Sequence, residues 1–473
     1  MAQLRSVERF QERLAALEID LPCDEHLLSA SEGSPLAQPL QIEGFQVGNR
    51  WCIHPMEGWD ANRDGSPTPL TLRRWARFGE SGAKLIWGGE AAAVQAEGRA
   101  NPNQTLATPS NEKGLRQLLQ TLHEAHRAAG QTCDDLLVGL QLTHSGRFCK
   151  PHEHQRWEPW IAYHHPLLDA KFNIAADDHS RVLSDDQLER LIEDYVVSAK
   201  LAQRLGFQFV DVKACHGYLL HELLSARTRP GRFGGDLAGR SLVLRTVIAR
   251  IRQECPGLAV GVRLSVFDTL PYQPSEAAGV PMPWSPEENY AFGFGLNQQD
   301  PLRIELSEPL ALLKMLMELG VEMVNLTCGS PYYNPHIQRP AIFPPSDGYL
   351  PPEDPLVGVA RQIQTTAAVK AQLPGLRLVG SGYTYLQEFL PLVAQAVLRQ
   401  GMVDLVGLGR MVLSYPTLPR DALAGQKPTR KLICRTFSDC TTAPRKGIVS
   451  GCYPLDAFYK SRPERADLQE RKT

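Results

Sequence analysis

Eight short apolar runs recur along the chain, and each ends in polar residues or glycine before a helical pattern begins. Several runs are rich in Val, Leu and Ile without alternation, which is typical of parallel strands buried on both faces. Eight strand–helix units predict an α/β fold, a (β/α)8 TIM barrel, with a doubly wound sheet as the structural alternative. The runs are WCIH (51–54), AKLIWG (83–88), LLVGLQL (136–142), FQFVDV (207–212), LAVGVRL (258–264), VEMVNLT (321–327), LRLVG (376–380) and MVDLVGLG (402–409).

Two terminal segments and one long insertion are added to these eight strand–helix units. Residues 1–40 are interpreted as an N-terminal helical extension, 41–425 as the barrel and 426–473 as a C-terminal tail that contains cysteines. Residues 267–306 form a Pro/Gly-rich loop after the fifth strand. A barrel would place that loop at its C-terminal face, where active sites are built. Ser184 followed by Gln187 is a capping box, which predicts a helix start.

Composition narrows the classes of function. The chain of 473 residues is 43% hydrophobic and 22% charged, with a net charge of −2. We therefore expect a small-molecule substrate and neither a nucleic-acid nor a membrane partner. No run approaches the roughly 18 apolar residues of a membrane span, and the N-terminus has no apolar signal core. We expect a cytoplasmic protein whose ten scattered cysteines are reduced.

Polar side chains follow several of the predicted strands. In a barrel, residues just past a strand end point into the mouth of the active site. The stretch VDVKACHGYLL places Lys213, His216 and Tyr218 after the fourth strand, and these three are the candidate catalytic residues. The other polar strand ends carry His54 and Glu57, Gln141 and His144, and Arg263.

Two glycine-containing turns suggest a phosphate site. LVGSGYT gives Gly380, Ser381 and Gly382 after the seventh strand, and VGLGRMV gives Gly409 and Arg410 after the eighth. Barrels commonly bind phosphate at these two loops, through backbone N–H groups and a cation. The alternative is that both are ordinary strand-to-helix turns. The similar AFGFGLN (291–297) precedes no clear helix, so we interpret it as loop.

Taken in order, the motifs resemble those of the old yellow enzyme family of FMN-dependent oxidoreductases. The resemblance covers residues from about 40 to 420 and extends to the barrel domain of 2,4-dienoyl-CoA reductase. It rests on NRWCIHPM, GLQLTHSGR, VDVKACHGYLLHELLS, GRFGGDLAGR, VGVRLS and VDLVGLGR. It implies FMN as cofactor and NAD(P)H as electron donor, and family members are often homo-oligomers. The implied cofactor contacts are Pro55, Met56, Glu57, Gly89, Gln141, Arg263, Gly380, Ser381, Gly382, Gly409 and Arg410.

The same resemblance implies roles at the ring and the substrate. Gln141 and Arg263 would meet the pyrimidine edge of the flavin, where a cation stabilises the reduced ring; a buried ion pair is the alternative for Arg263. Two polar residues after the fourth strand would hydrogen-bond the oxygen of an activated alkene. His216 fits the second position, and Lys213 stands where a histidine is usual. Tyr218 is a candidate proton donor or substrate contact, or it merely packs.

Glu57 is a second departure, because Thr or Cys is common at that position in the family. We hypothesise that ionised Glu57 lowers the flavin reduction potential or pairs with Lys213 across the mouth. The alternative is that the loop turns Glu57 to solvent. Arg240, in the segment RTRPGRFGGDLAGR, matches the family and is assigned mainly a structural role.

The tail contains three clustered cysteines, Cys434, Cys440 and Cys452. Larger relatives hold a [4Fe–4S] cluster here, but only Cys440 and Cys452 match the usual spacing. A cluster would need another ligand such as Asp439, so no metal site is predicted and a [4Fe–4S] cluster is not favoured. We expect a barrel that takes electrons from diffusible NAD(P)H.

The leading hypothesis is an FMN-dependent oxidoreductase that passes hydride from NAD(P)H through flavin N5 to an electron-poor alkene. Three alternatives remain. The flavin could work as a dehydrogenase or demethylase of a small amine or acid, to which Lys213 and Glu57 lend support. The barrel could bind flavin without turnover. A tRNA dihydrouridine synthase is also a flavin barrel, but the near-neutral charge argues against an RNA partner.

Overall fold

Eight parallel strands close into a barrel in the computed structural model, which describes residues 1 and 3–471. Neighbouring strands pair in chain order, and the eighth pairs with the first. All eight predicted runs contribute a strand, so the predicted (β/α)8 fold is confirmed. The strands are β1 Trp51–Ile53, β2 Leu85–Ile86, β3 Leu137–Thr143, β4 Phe209–Ala214, β5 Ala259–Ser265, β6 Met323–Thr327, β7 Arg377–Gly380 and β8 Leu405–Leu408.

An outer layer of helices covers the strands, because each helix has an apolar face that must be buried. Side chains of Thr68, Ser184 and Asp354 cap three helix N-termini, and the predicted capping box of Ser184 and Gln187 is present. No helix in the described part of the chain is both long and apolar enough to cross a bilayer. The barrel helices are α1 Pro69–Gly79, α2 Glu112–Ala128, α3 Asp185–Leu205, α4 Leu242–Glu254, α5 Ser307–Glu318, α6 Pro355–Gln372, α7 Leu390–Arg399 and α8 Leu418–Leu423.

Shorter elements lie between these units and at the two ends. They include a strand that extends the β2 side of the barrel and pairs with β3, and single helical turns in the loops after β4, β6 and β8. They are helix Val7–Ala16, strands Leu40–Ile42, Phe45–Val47, Ala91–Ala93, Tyr272–Pro274 and Gly279–Pro281, and helices Leu219–Leu224, Leu237–Arg240, Pro335–Gln338, Met411–Ser414, Asp439–Arg445, Ala457–Lys460 and Glu464–Glu470.

The barrel interior is apolar at its N-terminal end. Alternate residues of a strand face the same side, and every strand sends at least one side chain into this interior cluster. The hairpin of Leu40–Ile42 and Phe45–Val47 packs against the cluster and closes that end. Only the C-terminal end is therefore left for a ligand. The interior cluster is Cys52, Leu85, Trp87, Leu137, Phe209, Ala259, Met323, Val379 and Leu405.

Both terminal segments pack on the barrel. In the predicted N-terminal extension, the ring of Phe10 stacks on Phe389 with centroids 4.4 Å apart. The C-terminal tail is fixed to α1, where Arg73 pairs with Asp456 at 2.9 Å and lies 4.3 Å from the ring centroid of Phe458. The boundaries at 40 and 425 stay a prediction. The tail folds back over the open end of the barrel and becomes part of its wall.

Arg240 links the loop after β4 to α5, in keeping with its predicted structural role. Its guanidinium pairs with Glu308 at 2.5 Å and donates to the carbonyl oxygens of Gly235, at 3.0 Å, and Leu224. Its side chain is 2% exposed, whereas that of Glu308 is 32% exposed. Replacement of Arg240 would therefore leave the carbonyl group of the buried Leu224 without this donor.

We expect Arg240→Met to lower the free energy of unfolding by about 1–3 kcal/mol, because it leaves the buried carbonyl of Leu224 without its donor and breaks a partly buried ion pair. Arg250→Met is the matched control. Arg250 pairs with Glu193 and Glu254 at the surface, and exposed pairs are worth about 0–1 kcal/mol. Urea denaturation of both variants measures the difference; equal losses would contradict the role assigned to Arg240.

Candidate active site

A cavity of about 230 Å³ opens at the C-terminal ends of the strands. Every predicted site residue except Gly89 and Gly380 lines this cavity: Pro55, Met56, Glu57, Gln141, Lys213, His216, Tyr218, Arg263, Ser381, Gly382, Gly409 and Arg410.

Gly89 and Gly380 shape the wall from behind instead. Gly89 has a φ of 56°, and its carbonyl oxygen accepts the N–H of Met56 at 3.0 Å. A Cβ at Gly89 would lie 2.5 Å from the ring of Trp75, so only glycine fits there. A Cβ at Gly380 would lie 2.8 Å from the hydroxyl of Tyr383. Both glycines thus fix the loops that line the cavity, and their predicted contact with the cofactor stays a prediction.

One wall combines side chains from three adjacent strands. Gln141 on β3 donates to Asp211 on β4 at 2.5 Å, and the backbone N–H of Arg263 on β5 donates to the same carboxyl at 2.6 Å. Burial raises the pKa of Asp211 to about 6. The Nε of Arg263 has no hydrogen-bond partner among the described residues. The Nε–H of Arg263 is therefore a donor that is left for a ligand.

The cavity floor is a short hydrogen-bond chain. His54 lies between Asn325, whose Nδ2 is 3.0 Å from His54 Nδ1, and Ser381, whose Oγ is 3.2 Å from His54 Nε2. Burial, together with the charge of Arg263, holds the pKa of His54 well below its ordinary value. A neutral His54 that accepts from Asn325 and donates to Ser381 satisfies all three groups. Ser381, predicted beside a phosphate, is thereby fixed in orientation.

Three arginines gather at another side of the cavity: Arg339, Arg410 and Arg445. Burial, followed by the charges of Arg445 and Arg410, lowers the pKa of Arg339 to about 9. Arg339 donates to Thr441 in the tail, but its Nη2 and the Nη1 of Arg410 have no partner in the described part of the chain. Like charges with free donors favour a bound anion such as phosphate.

The predicted pairing of Glu57 with Lys213 is present. The Lys213 ammonium contacts the Glu57 carboxylate and lies 3.6 Å from the ring centroid of Tyr218. The same carboxylate accepts the hydroxyl of Tyr218 at 2.8 Å and the indole N–H of Trp59 at 3.1 Å. The side chains of Lys213 and Glu57 are 4% and 16% exposed. Glu57 does not turn to solvent, and both charges are compensated locally.

His216 enters the cavity from a strained turn. Its φ is +64°, which costs a residue other than glycine about 1–3 kcal/mol. Ser265 accepts the N–H of His216 at 2.9 Å, and His221 accepts that of Gly217 at 2.8 Å. The His216 Nε2 lies 3.3 Å from the Thr327 hydroxyl. Burial, then nearby cations, lowers the pKa of His216 well below its ordinary value, so the ring is neutral.

The structure adds cavity residues that the sequence analysis missed. Trp59, Tyr332 and Arg339 follow strands β1 and β6, so the rule of polar strand ends could have found them. Cys440, Thr441, Pro444, Arg445 and Ser450 come from the tail, and no local pattern indicates their position. Within residues 1 and 3–471, no group of three or more His, Cys, Asp or Glu side chains could hold a metal ion.

His144, predicted at the rim, is not among the residues that line the cavity. Its Nδ1 accepts the N–H of Gly146 at 3.1 Å, and its Nε2 has no partner among the described residues. Burial lowers its pKa to about 3. The folded state therefore binds fewer protons than the unfolded state between about pH 6.5 and 3.

Comparison with known sequences gives one family and many distant relatives. A family model described as the NADH:flavin oxidoreductase / NADH oxidase family matches residues 35–277. The NADPH dehydrogenase of Halalkalibacterium halodurans is 24% identical over 387 residues, 80% of this chain and 91% of that protein. The flavin oxidoreductase hxnT of Emericella nidulans is 24% identical over 446 residues, 90% of this chain and 99% of that protein.

Solved structures share the fold. The old yellow enzyme homologue from Zymomonas mobilis superposes with a TM-score of 0.55 at 20% identity and covers 84% of this chain and 98% of its own. A 2-naphthoyl-CoA reductase complex gives a TM-score of 0.63 at 16% identity, and histamine dehydrogenase from Rhizobium sp. 4-9 gives 0.61 at 19%. The match covers 92% and 90% of this chain but only 58% and 52% of those two larger chains.

The pKa of His144 is lowered in the folded state. The free energy of unfolding should therefore fall by about 1.4 kcal/mol for each pH unit below about pH 6.5. We expect His144→Gln, which keeps an acceptor for Gly146, to lose less stability than wild type between pH 6.5 and 4.5. Urea midpoints across that range measure the difference. The exposed His26→Gln is the control; a wild-type slope in His144→Gln would contradict the assignment.

Proposed function

Because the chain belongs to the NADH:flavin oxidoreductase / NADH oxidase family, we propose that it passes hydride from NAD(P)H to an electron-poor alkene. The oxidoreductase class and the use of FMN with NAD(P)H are those of the family, as the sequence analysis predicted. The alkene acceptor is the proposal. Its main support is the placement of neutral His216 beside Lys213 at the end of β4, within the only broad opening of the described barrel.

The cavity residues fit FMN at both of its ends. Arg410 and Arg339 offer unpaired donors for a phosphate dianion in the same cavity that Gly382 and Gly409 line. Arg263 offers Nε to the electron-rich edge of the ring. FMN, when bound, supplies hydride transfer between the donor and the acceptor. The chain supplies binding, orientation and charge.

The residues after β4 suit an acceptor that carries a carbonyl or nitro oxygen. Lys213 uses one of its three N–H groups on Glu57, which leaves donors for a substrate oxygen. The Nε2 of His216 lies 3.2 Å from the amide nitrogen of Gln338 and accepts from it, so a neutral ring in the cavity wall has its Nδ1–H as the remaining donor. Two donors aimed at the oxygen where negative charge develops would lower the barrier to hydride attack on the alkene.

Tyr218 is better suited to positioning than to proton transfer. Its hydroxyl donates to Glu57, and its ring supports the Lys213 ammonium. Burial, then the charge of Glu57, raises the pKa of Tyr218 well above its ordinary value. We therefore assign Tyr218 to holding the Glu57–Lys213 pair in place. The cytoplasmic location and homo-oligomerisation stay predictions.

We expect Arg410→Ala to weaken FMN binding by about 10-fold or more, because a charge-assisted hydrogen bond is worth about 1.5–3 kcal/mol. Riboflavin, which has no phosphate, should bind the variant and wild type equally. Fluorescence quenching of each flavin measures both affinities. Arg420→Ala, at an exposed position on α8, is the control. Equal weakening for FMN and riboflavin would contradict a phosphate site at Arg410.

We expect anaerobic NADPH to bleach the flavin and 2-cyclohexen-1-one to restore its colour, while cyclohexanone, which lacks the alkene, does not. His216→Ala should slow the reoxidation by about 10-fold or more by removing a donor to the substrate oxygen, with little change in bleaching by NADPH. Stopped-flow absorbance separates the two steps, and exposed His179→Ala is the control. Reoxidation by dioxygen alone, with no alkene response, would overturn the proposed acceptor.

A further inference from the structure

Lys213 lies in a seat for a cation, which we define as the carboxylate of Glu57 and the ring face of Tyr218. The ammonium contacts the carboxylate and lies 3.6 Å from the ring centroid. Only 4% of the Lys213 side chain is exposed, although the seat borders the main cavity. The carboxylate and the aromatic ring therefore take the place of water on two sides of the ammonium.

The seat is held together without help from Lys213. Tyr218 donates to Glu57 at 2.8 Å, and the indole of Trp59 donates to the same oxygen at 3.1 Å. The hydroxyl of Tyr332 lies 3.3 Å from that of Tyr218. These contacts fix the carboxylate and the ring relative to each other. Removal of the lysine side chain would therefore leave the seat in place and open it to the cavity.

A carboxylate beside an aromatic face binds organic ammonium groups well. The carboxylate supplies charge, and the quadrupole of the ring attracts a cation that has lost its water. A neutral alcohol of the same size gains neither contribution. In this protein the cation comes from the chain itself, so a substrate amine would have to displace a tethered ammonium from its counterion.

We propose that the cation seat is an alkylammonium site filled by the chain's own Lys213, which makes Lys213 the residue that excludes amine substrates. The cavity would then accept neutral substrates. This argues against the alternative function of an amine dehydrogenase or demethylase. The exclusion of amine substrates rests on the proposed function. The seat itself rests only on the contacts of Glu57, Tyr218 and Lys213.

The test uses a ligand that replaces the missing atoms. Lys213→Ala lacks the lysine side chain beyond Cβ, which is an n-propylammonium group. We expect n-propylammonium chloride to raise the thermal unfolding midpoint of Lys213→Ala, with 1-propanol at least 10-fold less effective and with no response from wild type. An equal response to the amine and the alcohol, or no response to either, would overturn the proposal.

Two further variants sharpen the result. Lys213→Ala combined with Glu57→Gln removes the charge of the seat, and we expect it to lose at least 10-fold in affinity for n-propylammonium. Retained affinity would overturn the seat. Lys213→Ser opens the same space and replaces Lys213→Ala should that variant fail to fold; the same responses are expected of it, and their absence counts equally against the proposal.

The two proposals fail separately, because thermal unfolding reports binding without any flavin. A protein that rejects FMN while Lys213→Ala responds to n-propylammonium refutes the proposed function and supports the seat. A protein that binds FMN and reduces the alkene, while Lys213→Ala ignores n-propylammonium, refutes the seat alone.

Discussion

A charge inside a closed barrel must either find a partner or reach the open end, since an unpaired buried ion is costly. This constraint orders the interior along the strands. On β4 the inward positions change from Phe209 through Asp211 to Lys213, and on β5 from Ala259 to Arg263. The apolar end is closed by the N-terminal hairpin. The polar end therefore becomes the single place where chemistry can meet a ligand.

Charge is distributed unevenly within that polar end. Beside β4, Glu57 and Lys213 compensate each other and are surrounded by aromatic rings. Near β7 and β8, Arg339 and Arg410 keep free donors, and their mutual repulsion favours an anion. A ligand with a phosphate at one end and a neutral reactive group at the other would be oriented by this difference. The uneven charge would therefore favour one orientation of such a ligand in the cavity.

The C-terminal tail contributes to this charge distribution, although it is far in sequence from most of the strands that surround the cavity. Asp456 fixes it to α1 through Arg73, and Thr441 accepts a hydrogen bond from Arg339. The cavity wall beside Arg339 and Arg410 is therefore completed by residues that follow the barrel. The chain covers most of its curated relatives but little more than half of the larger reductase and amine dehydrogenase chains of similar fold. In this chain, the tail's clear role is to build the cavity.

The sequence by itself determined the eight strands and the polar residues at their ends, because buried parallel strands need continuous apolar runs and end where polarity begins. It also indicated that Glu57 and Lys213 could pair. Only the tertiary structure decided that Gly89 and His144 do not line the cavity and that Arg339 lies in it with Arg410. Those outcomes depend on contacts between segments that are far apart in the chain. Such contacts are determined by side-chain packing, about which a local sequence pattern carries no information.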